Sequence, residues 1–497
     1  MAGADAGSSG TGAAPAMSRP VSVLQYHNHA SRDGLYIDAA FTRDAAAKIK
    51  KDPSFKAMMT GDTYAQPLYF EAGQGGKDLL ITATEQNEVT AFDAAGGAVV
   101  WRKVVAPPAQ NATSPCGNIN PLGITGTPVI DAQSRTLYLD AITTGPKNQV
   151  FALSLDDGSV RQGFPVDIDN VKGSATFNSS IHNQRGALLL LDKMLYVPFG
   201  GRAGDCGDYN GWVVGVPLDN PSALISFATQ AHGAGMWSPG GLASDGTSIF
   251  AATGNSKADG GNGTSSPPNW GHGEAILRLP KDLKTITQSQ TKDFFAAENW
   301  AALDRADLDI GGSGPVLFSA PGSSPSDFVI ALGKDGAAYL LDRANLGGMG
   351  GMLQRLMLTS GGRGGAIIQA AAAYTAPAGT FVVLRSSGAM GCGMGSGALA
   401  AIKVSGAKPS MSVAWCAGAT GNTSPMVTST DGTNETIVWY VAGGKLLGFN
   451  GETGAPVYAG GADSDSVGTT TKFQTAIAAK GRIFMAAGST LHAFTLK

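Results

Sequence analysis

Side chains that could do chemistry are concentrated in a few glycine-rich stretches of this 497-residue sequence. FNSSIHNQRGALL carries His182, Asn183, Gln184 and Arg185; GGRAGDCGDYNGW carries Arg202 and Asp205; AHGAGMWSPGG carries His232 and Trp237; GGRGG carries Arg363. A histidine can remove an acidic C–H proton while an arginine steadies the resulting enolate, the chemistry of a cofactor-free polysaccharide lyase. His182, Arg202 and His232 are the candidates for that work, and Trp237 and Arg363 are candidates for holding a cofactor. The alternative use of the same groups is to bond backbone around a channel.

Other reactive residue types point elsewhere. His27 and His29 in YHNHASRDG alternate, so on a strand they would share a face; two histidines are short of a catalytic zinc site, and the segment is expected to be a structural clasp. None of the histidines or cysteines has CxxC or HxxxH spacing. Cys392 and Cys416 fall within one repeat and are the favoured disulfide in an oxidising compartment, with Cys116 and Cys206 a second pairing.

The elements that must position these groups announce themselves by repetition. In LLITATEQNEVTAFDAAGGAVVWRKVV, residues 79–105, an apolar strand, a polar turn, a second strand ending in Phe92-Asp93, a glycine turn and a third strand reaching Trp101 follow in about 25 residues. Looser copies stand at 136–158, 195–215, 249–277, 328–342, 381–415, 437–454 and 483–494. Trp101 and Trp415, with the aromatics of the AFD and YLLD motifs, are expected to pack between repeats. Eight copies at about 60 residues each predict an all-β, eight-bladed β-propeller of four-stranded antiparallel blades, with seven blades the alternative. The last copy lacks an outer strand, so an N-terminal strand must close the ring; residues 21–26, VSVLQY, are the expected donor. A short helix is expected over 42–51, with Thr42 as its N-cap and Lys48, Lys50 and Lys51 in its last turn.

Composition narrows the function classes. Glycine at 70 of 497 suits a chain of tight turns, and a net charge of −3 gives no basic field for nucleic acid. No apolar run is long enough for a transmembrane helix. Residues 1–20 read as a flexible Gly/Ala/Ser linker before a single propeller domain at 21–497, similar to the tether behind the lipidated cysteine of exported bacterial lipoproteins. Such a tether implies export to an extracytoplasmic compartment, with a lipid anchor on the precursor, and the product is expected to be a monomer.

Three segments carry a family resemblance: TATEQNEVTAFDAAGGAVVW, Ala252-Thr253-Gly254-Asn255, and GKDGAAYLLDRANLGG at 333–348. Together they resemble the quinoprotein β-propeller family, which includes calcium- and pyrroloquinoline-quinone (PQQ)-dependent alcohol dehydrogenases and PQQ-binding-like repeat proteins without known activity. The resemblance runs from about Tyr26 to the end. It implies that Asn255 and Asp309 ligate calcium, that Asp309 is the general base on an alcohol, and that Lys334 pairs with the quinone; PQQ and calcium are the implied cofactors. Hard-cation and acid–base chemistry suit those residue types. Asn255 could otherwise be a turn residue, and Lys334-Asp335-Gly336 a hairpin turn.

The chain departs from the family at three places. The stretch 205–213 has no glutamate where the family ligates calcium, and Asp205 fills the place only with a shift of one residue. No two cysteines are neighbours, and no CxxCH attaches a haem. Two main expectations follow: an exported oxidoreductase acting on a small alcohol or carbohydrate, or a cofactor-free propeller that binds a ligand or protein as a scaffold. The lyase is the third.

Overall fold

The computed structural model describes residues 21–110, 116–257, 270–388, 390–392 and 398–496, so the linker expected at 1–20 lies outside the described residues. The repeat unit folds as its pattern dictates: Leu79–Ala83, Glu88–Asp93 and Val99–Val104 pair antiparallel in sequence order, with Leu68–Phe70 added on the inner side. Every residue of Leu79–Ala83 is buried, whereas Val99–Val104 is largely exposed. A sheet stacked between two others is apolar on both faces, so its inner strands read as continuous apolar runs and only the outermost alternates.

Eight such sheets form an eight-bladed β-propeller. The innermost strands, in ring order, are Leu68–Phe70, Val129–Asp131, Leu189–Leu191, Ala243–Ser244, Val316–Ser319, Ala372–Ala376, Met426–Ser429 and Ile477–Ala479; each begins the blade numbered 1 to 8 below. Trp101 of blade 1 donates from Nε1 to Leu155 O of blade 2 at 2.8 Å, and Trp415 of blade 6 makes the equivalent bond to Gly451 O of blade 7, also 2.8 Å. Gly158, in the turn under Trp101, has φ +72°, and a Cβ there would stand 2.7 Å from the indole. The turn glycine of the repeat therefore serves the neighbouring tryptophan as well as its own turn. Within blade 6, Cys392 and Cys416 are joined in a disulfide with Cα atoms 5.9 Å apart.

The ring is closed by an N-terminal strand, but not by residues 21–26. Lys50–Lys51 and Ala57–Met58 add to Thr490–Thr495 as the outer strand of blade 8, Lys50 opposite Thr495 and Ala57 opposite Leu491. The helix expected over 42–51 is correspondingly cut short to Arg43–Ala46, capped by Thr42 Oγ1 accepting from Ala45 N at 3.2 Å. Four residues are too few to hold a helix by themselves, and pairing with an open sheet edge takes Lys50 and Lys51 instead.

Residues 23–37 do something the sequence did not announce: they pass across the centre of the ring and visit the inner strands in turn. Val23 and Tyr69 exchange both backbone bonds in blade 1, and Leu24 O accepts from Ile130 N in blade 2. Arg32 is buried and donates to Leu188 O beside blade 3 and to Leu242 O beside blade 4, both at 2.8 Å. The carbonyls of Ala30, Ser31, Asp33 and Gly34 accept from Ser244, Leu317, Ala373 and Val427 in blades 4, 5, 6 and 7. Leu35–Ile37 then runs parallel to Met426–Ser429. His27 and His29 lie in turns of this segment, so the expected shared strand face is absent: the buried His27 ring stacks on Tyr26 with centroids 4.4 Å apart, while the half-exposed His29 pairs with Asp33 at 2.8 Å.

Two outcomes test this packing. Trp101→Ala is expected to cost about 3–5 kcal/mol and Trp101→Phe, which keeps one ring but loses the hydrogen bond and part of the packing, about 1–3 kcal/mol, read from thermal unfolding. Glu85, buried between blades 1 and 2, accepts from Gly123 N at 2.6 Å, and burial pushes its carboxyl up to about 7. With the folded value above the unfolded one of about 4.3, its contribution is fully present in acid and is lost as the pH rises to about 7. Glu85→Gln should match the wild type near pH 4 and exceed it by on the order of 3 kcal/mol at pH 8, measured by denaturant unfolding at both pH values.

Candidate functional site

Antiparallel order puts the segment leading into each innermost strand and the turn between the second and third strands on the same face of the ring. The residues singled out in sequence fall largely into those two kinds of position. Arg185 and Trp237 precede the inner strands of blades 3 and 4, Asp309 precedes that of blade 5, and Asn255 and Lys334 stand in second-to-third-strand turns. They meet at a cavity of about 290 Å³, at the small end of ligand sites of roughly 300–1,000 Å³. Arg202, Asp205, Trp237, Asn255, Asp309 and Lys334 all line it.

Asp309 is the most constrained of them. It is 1% exposed; its Oδ1 accepts from Asn255 N at 2.6 Å, its Oδ2 lies 2.5 Å from Lys334 Nζ, and its carbonyl accepts from Lys334 N at 2.7 Å. Burial raises the carboxyl above the usual aspartate range, with the Lys334 charge opposing. Gly254 makes this approach possible, since a Cβ there would sit 2.8 Å from Trp237 Nε1 and 3.1 Å from Asp309 Oδ1. Lys334 Nζ also pairs with the exposed Asp307 at 2.6 Å, and Asp309 raises its pKa against the opposing effect of burial.

Trp237 forms an aromatic wall between two cations. Lys334 Nζ stands 5.2 Å from the ring centroid and Arg185 Cζ 5.0 Å, within cation–π range. Arg185 is fixed by donating from Nε to Trp237 O at 2.9 Å, and its other aromatic neighbour is Phe473 at 5.7 Å. Burial lowers the Arg185 guanidinium to about 10, which leaves it charged at neutral pH. Asp205 Oδ1 accepts from Tyr209 OH at 2.6 Å, and Arg202 donates to Ser179 O at 3.1 Å.

The remaining candidates are placed elsewhere. His182 is fully buried, stacked on Phe177 at 4.3 Å, with Nδ1 2.8 Å from Asn178 O and Nε2 3.2 Å from Asn210 O. Both ring nitrogens are thus engaged by backbone, and burial lowers the pKa. His232 is exposed and is not among the residues lining the cavity. Arg363 lies on the short helix Gly362–Gly365 between blades 5 and 6.

Several cavity groups were not anticipated. Lys472 and Phe473 precede the inner strand of blade 8 as Arg185 and Trp237 precede theirs, so the repeat itself could have found them. Asp307 shares Lys334. Glu274, buried behind Asp309, accepts Ile310 N at 2.7 Å with Oε2, while Oε1 has no hydrogen-bond partner among the described residues. Burial and the Asp309 charge push its carboxyl well above the usual range. Its only sequence signal is a charge opening an apolar strand, Ala275–Leu279.

Comparison of folds now has a site to attach to. A quinohemoprotein alcohol dehydrogenase from Pseudomonas putida HK5 superposes with a TM-score of 0.69 at 11% identity, covering 96% of this chain and 80% of that one. The quinohemoprotein alcohol dehydrogenase from Comamonas testosteroni gives 0.66 at 12% identity, with the same coverage of 96% and 80%. A europium-containing methanol dehydrogenase gives 0.63 at 13%, covering 95% and 91%. The fold is the one these dehydrogenases share. No protein-family model and no curated protein sequence matches the chain.

The Asp309–Lys334 pair makes a measurable claim. Lys334→Met should cost about 3–5 kcal/mol at pH 8 by stranding a buried carboxylate, with a smaller loss in acid, where Asp309 protonates. Adding Asp309→Asn should recover most of the loss. Denaturant unfolding of the two single variants and the double variant checks it, and purely additive losses would count against the pairing.

Proposed function

We propose that the protein is a quinone-dependent oxidoreductase that oxidises a small alcohol or sugar in the cavity beside Asp309. The observation that carries this reading is Trp237 held between the cations of Arg185 and Lys334, with a buried carboxylate pinned behind. A flat molecule bearing carboxylates, as PQQ does, is matched by two cations held together on one aromatic side chain. Bound there, such a quinone supplies a two-electron oxidant. The protein's own share is to meet its acid groups with Arg185 and Lys334, with Trp237 lining the pocket and holding the two cations, and to take the substrate hydroxyl proton on Asp309. The raised pKa of Asp309 suits a base, and leaning of Lys334 toward Asp307 would uncover it.

The calcium that the resemblance implies fits less well. Ca²⁺ takes about six to eight oxygens, yet among the described residues no three Asp, Glu, His or Cys side chains form a group that could hold a metal. Both Asp309 oxygens are committed to Asn255 N–H and Lys334. The positive charge beside the base is the Lys334 ammonium. Export is supported by the Cys392–Cys416 disulfide, a bond of oxidising compartments; among the described residues no helix is long and apolar enough to cross a membrane.

Incubation with PQQ, with and without calcium, should give a bound-quinone absorption band and alcohol- or sugar-dependent dye reduction. Asp309→Asn should keep the band and lose about 10²- to 10⁴-fold in turnover, while Trp237→Ala should weaken quinone binding by roughly 2- to 10-fold or more. Absence of the band at large PQQ excess removes the quinone reading and leaves a ligand-binding scaffold.

A further inference from the structure

Two loops from different blades meet at the rim of the cavity. One joins blades 1 and 2 and contributes Asn118; the other follows the strand Met194–Gly201 of blade 3 and contributes Arg202, Gly204 and Asp205. Each carries a cysteine thiol, Cys116 and Cys206, both partly exposed. Cys116 lies close enough to Cys206 for the two thiols to act on one another, and the Arg202 charge is close enough to act on Cys116 as well. The backbones are equally close: a Cβ built on Gly204 would lie 3.3 Å from Cys116 Cβ. A disulfide needs Cβ atoms about 3.5–4.5 Å apart, and this loop–loop contact brings the two cysteine-bearing backbones together.

We infer that Cys116 and Cys206 are an oxidisable pair whose disulfide ties the blade 1–2 loop to the blade 3 loop and narrows entry to the cavity. The bond is independent of the ligand's identity, because it rests on the rim and not on the quinone reading. Its formation requires a disulfide oxidant, such as oxidised glutathione. One protein thiolate attacks a glutathione sulfur and expels a glutathione thiolate; the second then attacks the protein sulfur of that mixed disulfide and expels the other. The protein loses two electrons and two protons, and the glutathione disulfide is reduced to two thiols. Cys392 and Cys416 take no part, being already joined within blade 6.

The test uses the whole chain with the Cys392–Cys416 bond intact. After oxidised glutathione, thiols titrated under denaturing conditions should fall from the two of Cys116 and Cys206 to none, and a non-reducing digest should contain the Cys116 peptide linked to the Cys206 peptide. In Cys116→Ser, Cys206 should instead hold a stable mixed disulfide with glutathione. Acrylamide quenching of the Trp237 signal, taken as the difference from Trp237→Phe, should fall at least twofold on oxidation and return on reduction. Two surviving thiols, two glutathionylated cysteines without a cross-link, or unchanged quenching in the cross-linked protein would each overturn the proposal.

Discussion

A ring of sheets has two sets of backbone groups that its own blades leave unpaired: the outer edge of the last blade, and the inner edges facing the channel. Buried N–H and C=O groups must find partners, and open edges invite foreign strands. Here one N-terminal segment meets both demands. Residues 23–37 bond to inner strands as they cross the centre, and Lys50–Lys51 with Ala57–Met58 completes blade 8. Tyr26 of this segment packs on Ala187 and Ala370, which are two residues in sequence from Arg185 and Ile368 of the cavity wall.

In the cavity wall the electrostatics are asymmetric. Asp309 and Glu274 are both buried, and Lys334 is the cation in contact with Asp309. A single ammonium shared between a buried carboxylate and the exposed Asp307 can move between them at small cost, since one partner keeps it in contact with solvent. Arg185 has no such freedom: its Nε is tied to Trp237 O and its plane lies between Trp237 and Phe473. The wall therefore combines a fixed cation with an adjustable one.

The blades were legible because their signal is local: apolar runs, polar turns and a glycine repeat every few tens of residues. Closure was not, because it inverts the usual signal. VSVLQY has the composition of a strand, yet the segment turns through the channel; the strand that closes the ring begins with Lys50 and Lys51, polar as an outer edge strand should be. The cavity residues Asn255, Asp309 and Lys334 were reachable through family resemblance, and Trp237, Arg202 and Asp205 stood out as polar or aromatic groups in glycine-rich loops. His182 stood out equally and proved to be held by backbone groups of Asn178 and Asn210, since a polar residue near the channel can be consumed by unpaired backbone as readily as by a ligand. Lys472 stood at a position the repeat marks but went unread, whereas Glu274 was hidden because its role depends on which segments the ring sets side by side.

The pairing of Lys50 with Thr495 also constrains how the molecule can be made. At synthesis rates of about 5–20 residues per second, the first partner waits on the order of tens of seconds for the second. Throughout that interval the nascent ring stays open, with a strand edge exposed at each end of the growing stack. Vectorial folding can assemble blades one after another, but it cannot finish, and the period of greatest exposure to mispairing falls at the end of translation.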